Sequence, residues 1–223
     1  MITLILFLAI PIAGYIIQAD LKSKFKKYSK MPIGLSGRDV ALKMLHDNGI
    51  YDVKVVSIPG KLTDHYNPTD RTVNLSKEVY GSASVAAAAV AAHECGHAVQ
   101  HAKAYGPLKL RSALVPVVSF SSSIVSWVLL LGVLLIGVFP FLLLGGIILF
   151  AFTTLFSIIT LPVEIDASKR ALMWLQSAGI TNDRNHRYAT GALRSAAYTY
   201  VIAAISSLTT LFYYIAVYMG RRD

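Results

Sequence analysis

Charge is what this sequence has least of. Only 15% of its 223 residues are charged, and from Ser112 to Val163 there is no Asp, Glu, Lys, Arg or His. Soluble domains carry about 25% charged residues. One membrane crossing needs about 20 apolar residues, so this 52-residue run is long enough for two. A soluble fold is excluded. Cysteine is nearly absent too: Cys95 stands alone, which excludes an intramolecular disulfide and a structural zinc site built only from cysteines. Acidic residues are scarce, 12 against 21 Lys plus Arg. The resulting +9 invites a nucleic-acid reading, but the lysines gather at Lys22, Lys24, Lys26, Lys27 and Lys30, directly after an apolar segment. Beside a membrane helix such a cluster sets orientation and meets anionic headgroups. Membrane lipid, not nucleic acid, is the expected partner.

Four segments read as spanning helices, which predicts a mainly α membrane protein. Residues 1–19 form an anchor, apolar from Ile2 to Ala19 with Pro11 inside; it lacks the basic start and small-residue cleavage site of a signal peptide. The uncharged run supplies a hairpin over residues 113–161, turning at Pro140, and residues 196–219 supply the last crossing, with tyrosines at both ends as interfacial belts require. Segments 20–112 and 162–195 then lie on one side. The first carries 14 Lys plus Arg and Val163–Ser195 carries 5, against Arg221 and Arg222 on the other side. The positive-inside rule predicts a multi-pass protein of the cell membrane with both segments in the cytoplasm.

The first polar segment reads as a small α+β domain. Ser36 caps a helix with Val40, Ala41, Met44 and Leu45 on one face, ending at Asn48-Gly49. Tyr51–Ile58 is β-rich, and Leu62–Tyr66 and Arg71–Leu75 flank the turn-forming Asn67-Pro68-Thr69-Asp70, which predicts a hairpin. An alanine-rich helix follows over residues 82–105, stopped by Gly106-Pro107.

That helix carries His93-Glu94-Cys95-Gly96-His97. Side chains at i and i+4 share one helix face, so two imidazoles there can grip one Zn2+ ion. Glu94 is rotated by about 100°, close enough to reach a zinc-activated water as general base. With 6 His and 3 Glu in the chain, composition alone yields the pattern in about one such chain in five hundred. Cys95 points away from the metal face and reads as a small buried residue.

A catalytic zinc needs a third protein ligand, and the candidates are His101, His65, His186, Glu164 and Asp166. His101 lies eight residues past His93, about 12 Å along the axis, too far for a shared ion. Glu164 follows the hairpin on the side where His93 and His97 lie. Its helix face continues through the small residues Ala167, Ser168 and Ala171, which permit close packing on the alanine-rich helix. Asp166 is turned about 200° away and suits an i,i+4 pair with Arg170. The metal set is therefore read as His93, His97 and Glu164, with Glu94 catalytic. His65, His186 and a tyrosine such as Tyr188 remain open as stabilisers of the oxyanion.

These residues, with Leu161–Ser168 around Glu164 and Leu62–Pro68 in the hairpin, resemble the YugP-type membrane zinc metallopeptidases of bacteria. More distantly the plan is similar to HtpX and the CAAX-processing membrane proteases, which are gluzincins. The resemblance implies a zincin-like domain and peptide-bond hydrolysis. Those relatives carry an aspartate four residues after the glutamate as hydrogen-bond partner of a zinc histidine; here that position is Ser168.

The expected function is zinc-dependent hydrolysis of peptide bonds at the cytoplasmic membrane surface, with membrane-proximal polypeptides as substrates. Two alternatives stand beside it: a zinc hydrolase of a non-peptide amide or ester, and a catalytically silent membrane adaptor that keeps zinc for structure. A channel is disfavoured because the spans lack the internal charges of a pathway.

Overall fold

A computed structural model describes residues 2–220; Arg221 and Arg222, counted above for topology, lie outside the described residues. The chain is mostly helical, with α1 (Ile2–Tyr28), α2 (Gly37–Asp47), α3 (Lys77–Gly81), α4 (Val85–Ala102), α5 (Gly106–Leu134), α6 (Pro140–Ser177) and α7 (Asp183–Met219), and three strands, β1 (Lys54–Ile58), β2 (His65–Asn67) and β3 (Thr72–Ser76).

Local chemistry accounts for the polar part. Ser36 Oγ accepts from the Asp39 N–H and so caps α2, and Gly49 leaves the helix at φ +73°, a conformation that favours glycine. Asn67 Oδ1 accepts the N–H groups of Thr69 and Asp70 at 2.9 and 3.4 Å, an Asx turn that closes the expected hairpin. β2 and β3 pair antiparallel with His65 opposite Asn74, while β1 pairs parallel to β3, giving the order β1-β3-β2. β2 is therefore an edge strand. Val73 and Leu75 of β3 meet Val40, Met44 and Leu45 of α2 in one core with the alanines of α4.

Among the described residues three helices are long and apolar enough to cross a membrane: α5, α6 and α7. α5 and α6 form the expected hairpin. Gly132 lies against the backbone of Leu143 and Gly146 against Leu129, the small-residue contact that lets apolar helices approach. Pro140 opens α6, where its missing N–H is not needed.

The boundaries differ from expectation in an informative way. α6 runs unbroken through Pro162 to Ser177, so the helix bearing Glu164 is the continuation of one long and apolar enough to cross a membrane, and not a separate element. α7 likewise begins at Asp183, well before residue 196, capped by Asn182 Oδ1 on the Asn185 N–H. A helix already formed on its apolar length propagates into a polar flank with little added cost. The site is thus built on rods that extend out of the apolar layer.

Candidate active site

α4 lies against the sheet and α2 on one side and against α6 and α7 on the other. Its N-terminus is held by Ser84 Oγ on the Ala87 N–H at 3.3 Å. The approach to α6 is tight at Gly96, where an added Cβ would sit 2.6 Å from the carbonyl oxygen of Ala167. Ala167 and Ala171 are fully buried, as the small-residue face predicts. The two backbones are therefore close enough for side chains one turn along to meet across the seam.

Those side chains are His93, His97 and Glu164. One ligand atom from each falls in a cluster within 4.8 Å of one another. Nε2 of His93 lies 3.2 Å and Nε2 of His97 3.6 Å from Glu164 Oε2. The opposite ring nitrogens are engaged elsewhere. His93 Nδ1 meets Ser168 Oγ at 3.1 Å, and His97 Nδ1 meets Gln100 Oε1 at 3.0 Å. Gln100 is fully buried, and its Nε2 donates to Val163 O and Asp166 Oδ2, both at 2.8 Å. Asp166 in turn accepts from Arg170, the pair expected from its spacing. Both imidazoles thus have Nδ1 tied back to protein and Nε2 turned to the Glu164 carboxylate, the orientation that metal-ligating histidines adopt.

The electrostatics agree. Burial pulls the His97 pKa down, but the adjacent Glu164 carboxylate and the charge of Glu94 outweigh it, so the imidazole titrates above its ordinary value. Cys95 is fully buried, its Sγ directed to Ala41 O at 3.5 Å, and burial pushes its thiol pKa well up. It is an inert packing group.

A cavity of about 610 Å³ opens over the cluster. Glu94 faces it, and Oε2 of Glu94 accepts the Tyr66 N–H of edge strand β2 at 3.1 Å. His65 and His101 also line it; the His65 ring is held by Thr63 O, and His101 Nδ1 meets the Tyr66 hydroxyl at 2.8 Å. His101 is outside the metal cluster, as its distance along the helix requires. His186 and Tyr188 do not line the cavity. His186 meets Thr181 Oγ1, and Tyr188 packs against Tyr28 with the rings tilted by 40° and their centroids 5.3 Å apart.

Sequence reasoning missed three residues of this wall or its support. Gln100 stands three residues past His97 on the same helix face, a spacing that could have found it. Tyr200 of α7 stands beside the Glu164 carboxylate. Arg111 of α5 places Nη1 3.6 Å from Glu164 Oε1; in the sequence it is one of the 14 Lys plus Arg counted for topology. No local pattern in the sequence marks either of the last two.

The fold and the cluster together define a class: a membrane-associated protein with an H-E-x-x-H helix facing a distant glutamate. A family model described as "putative neutral zinc metallopeptidase" matches residues 3–219, and the chain belongs to that family. It is 42% identical over 224 residues to the "putative membrane protease YugP" of Bacillus subtilis (strain 168), covering 99% of each chain. No solved structure matches it. Zinc is the cofactor of this family, and the donor set fits: two imidazole nitrogens and a carboxylate oxygen, each free to turn to one point, suit a three-ligand zinc site.

Proposed function

We propose that the chain is a membrane-embedded zinc metallopeptidase of gluzincin type, hydrolysing peptide bonds close to the cytoplasmic membrane surface. The convergence of His93 Nε2, His97 Nε2 and Glu164 Oε2 is the observation that carries this reading. His93, His97 and Glu164 hold the ion, with Ser168 and Gln100 fixing the two rings. Zinc bound there supplies Lewis acidity to the scissile carbonyl and lowers the pKa of water toward about 7. The Tyr66 N–H fixes one oxygen of Glu94, and the other takes the proton from water and passes it to the departing amine. An extended substrate lies along the edge strand β2, beside the Tyr66–Glu94 contact.

The zincin-like part is α2, the sheet, α3 and α4, within residues 20–112. α1 is the fourth crossing, with residues 1–19 as its anchor. The hairpin 113–161 then returns the chain to the side it left, residues 162–195 complete the site, and residues 196–219 cross last. The lysine-rich flanks support a cytoplasmic site. Because Glu164 closely follows an apolar span, substrates near the membrane are favoured over free cytosolic chains.

The test is zinc bound per chain in wild type and Glu164→Ala, with cleavage of quenched-fluorescent peptide pools that are free or lipid-anchored, in proteoliposomes. Loss of zinc in the variant and faster cleavage of the anchored pool are expected. Unchanged zinc sinks the third-ligand role; equal cleavage of both pools sinks the membrane-proximal preference. Hydrolysis of lipid amides without any peptide cleavage would move the activity to the non-peptide alternative.

A further inference from the structure

The wall of the cavity is electrically asymmetric. Its three carboxylates are engaged by the protein: Glu94 by the Tyr66 N–H, Asp64 by the N–H and hydroxyl of Ser76 at 2.7 and 3.2 Å, and Glu164 by the two histidines. Its two cations, Lys109 and Arg111 on the first turns of α5, have no side-chain hydrogen-bond acceptor among the described residues. Arg111 faces Glu164 Oε1 at 3.6 Å, an ion pair too long to be a hydrogen bond, and its guanidinium carbon sits 5.9 Å from the centroid of the Phe156 ring. The side chain is 31% exposed. A guanidinium offers five N–H donors in a fixed fork, and the aromatic face beneath orients it. This cation is oriented and reachable, and its ion pair with Glu164 leaves the hydrogen-bond donors of the fork without an acceptor among the described residues.

We propose that Arg111 anchors the substrate, and that the preferred substrates carry a carboxylate within about one residue of the scissile bond. This rests on the peptidase reading above. The carboxylate comes from an acidic side chain or from the C-terminus of the substrate; both present the planar pair of oxygens that an arginine fork binds. Position follows from contact. Arg111 touches the carboxylate that touches both histidines, and one extended residue spans about 3.3–3.6 Å, so a group on Arg111 lies beside the reacting carbonyl. Charge follows as well. A dication held by His93, His97 and Glu164 would compete for the Glu164 charge and so weaken its pairing with Arg111. Lys109, exposed nearby, adds attraction at longer range.

The experiment uses the full-length, zinc-loaded Glu94→Gln protein in nanodiscs, so that binding is read without turnover. Ten-residue peptide pools are compared as C-terminal acids and amides, and with Glu or Gln at each position. A preference of about tenfold or more for one carboxylate form is expected. It should vanish in Arg111→Gln and fall severalfold in Arg111→Lys, with bound zinc unchanged; if the glutamine variant does not fold, the lysine variant decides. Dependence on the free C-terminus identifies that source, and dependence on Glu identifies the side chain. Equal binding of all pools by the parent, or a preference that survives both substitutions, overturns the proposal. Zinc loss on substituting Arg111 also overturns it, making Arg111 a positioning residue for Glu164. Peptide binding that depends on Arg111 but is never followed by cleavage in the Glu94 protein would defeat the peptidase reading alone.

Discussion

Gly96 and Ala167 bring α4 and α6 into backbone contact, and the geometry of the metal cluster depends on that contact. An added Cβ at residue 96 meets the Ala167 carbonyl at 2.6 Å, with backbone and not a flexible side chain as the obstacle. Gly96→Ala therefore forces the helices apart by a fraction of an ångström. Overpacking of this kind costs about 1–3 kcal/mol, and here it also separates two ligands from the third. The expected outcome is a lower unfolding temperature together with weaker zinc binding, read by calorimetry and by metal competition. Full zinc affinity in a destabilised Gly96→Ala protein would show that the seam does not set the ligand distance.

The two histidine supports differ in kind. Ser168 gives His93 one neutral hydrogen bond, whereas Gln100, itself buried, links His97 to the Val163 carbonyl and to the partly exposed pair Asp166–Arg170. Removing a partner of a ligating histidine costs about 10–100-fold in metal affinity. Ser168→Ala is expected at the lower end of that range and Gln100→Ala at the upper end, because the latter also removes a donor from the Val163 carbonyl and from Asp166. Competition with a zinc chelator measures both. The reverse order would mean that His93, not His97, depends more on its support.

Zinc binding should weaken with acidification earlier than an ordinary histidine site would. The metal-free His97 has a pKa above the usual imidazole value, because Glu164 and Glu94 stabilise its charged form more than burial disfavours it. A proton on His97 must leave before the metal binds. The site is therefore protonated, and affinity falls, already at pH above about 6.5. Zinc titrations between pH 5.5 and 8 should show proton release that rises as pH drops. Release centred well below pH 6.5 would contradict the raised value.

Glu94→Gln should separate binding from chemistry. Glu94 lies outside the metal cluster, and one oxygen already holds the Tyr66 N–H. An amide oxygen can keep that hydrogen bond but cannot take a proton from water. Zinc content is expected to be unchanged and peptide cleavage to fall by about 10²–10⁴-fold. A Glu94→Gln protein with full cellular function and full zinc would instead favour the silent adaptor.

What could be read along the chain was whatever depends on spacing within one element. The i,i+4 histidines, the Asx turn at Asn67, the Ser36 cap and the small face after Glu164 are all local patterns, and each appears in the structure. Glu164 itself was reachable because the uncharged run constrains where the chain can return. Arg111 and Tyr200 were not, because they reach the cavity through the packing of α5 and α7 against α6, which no periodicity encodes. The parallel pairing of β1 with β3 belongs to the same kind. The ends of α6 and α7 were misjudged because hydropathy marks where a helix leaves the apolar layer, not where its hydrogen-bond ladder stops.

The contact between α4 and Glu164 also constrains topology. His93 precedes the α5–α6 hairpin and Glu164 lies on its returning helix past the uncharged run, yet the two side chains lie 3.2 Å apart. The hairpin must then leave and re-enter on one side, whichever side that is. Single cysteines at Lys43 and Gln176, both exposed, should label from the same face with an impermeant maleimide. A cysteine at Gly220, beyond the one further crossing of α7, should label from the opposite face; Cys95 is buried and should not interfere. With 14 and 5 Lys plus Arg flanking the site in sequence, the shared face is expected to be cytoplasmic. Labelling of Lys43→Cys and Gln176→Cys from opposite faces would break the hairpin and the proposed metal site together, because no ion can be shared across a bilayer.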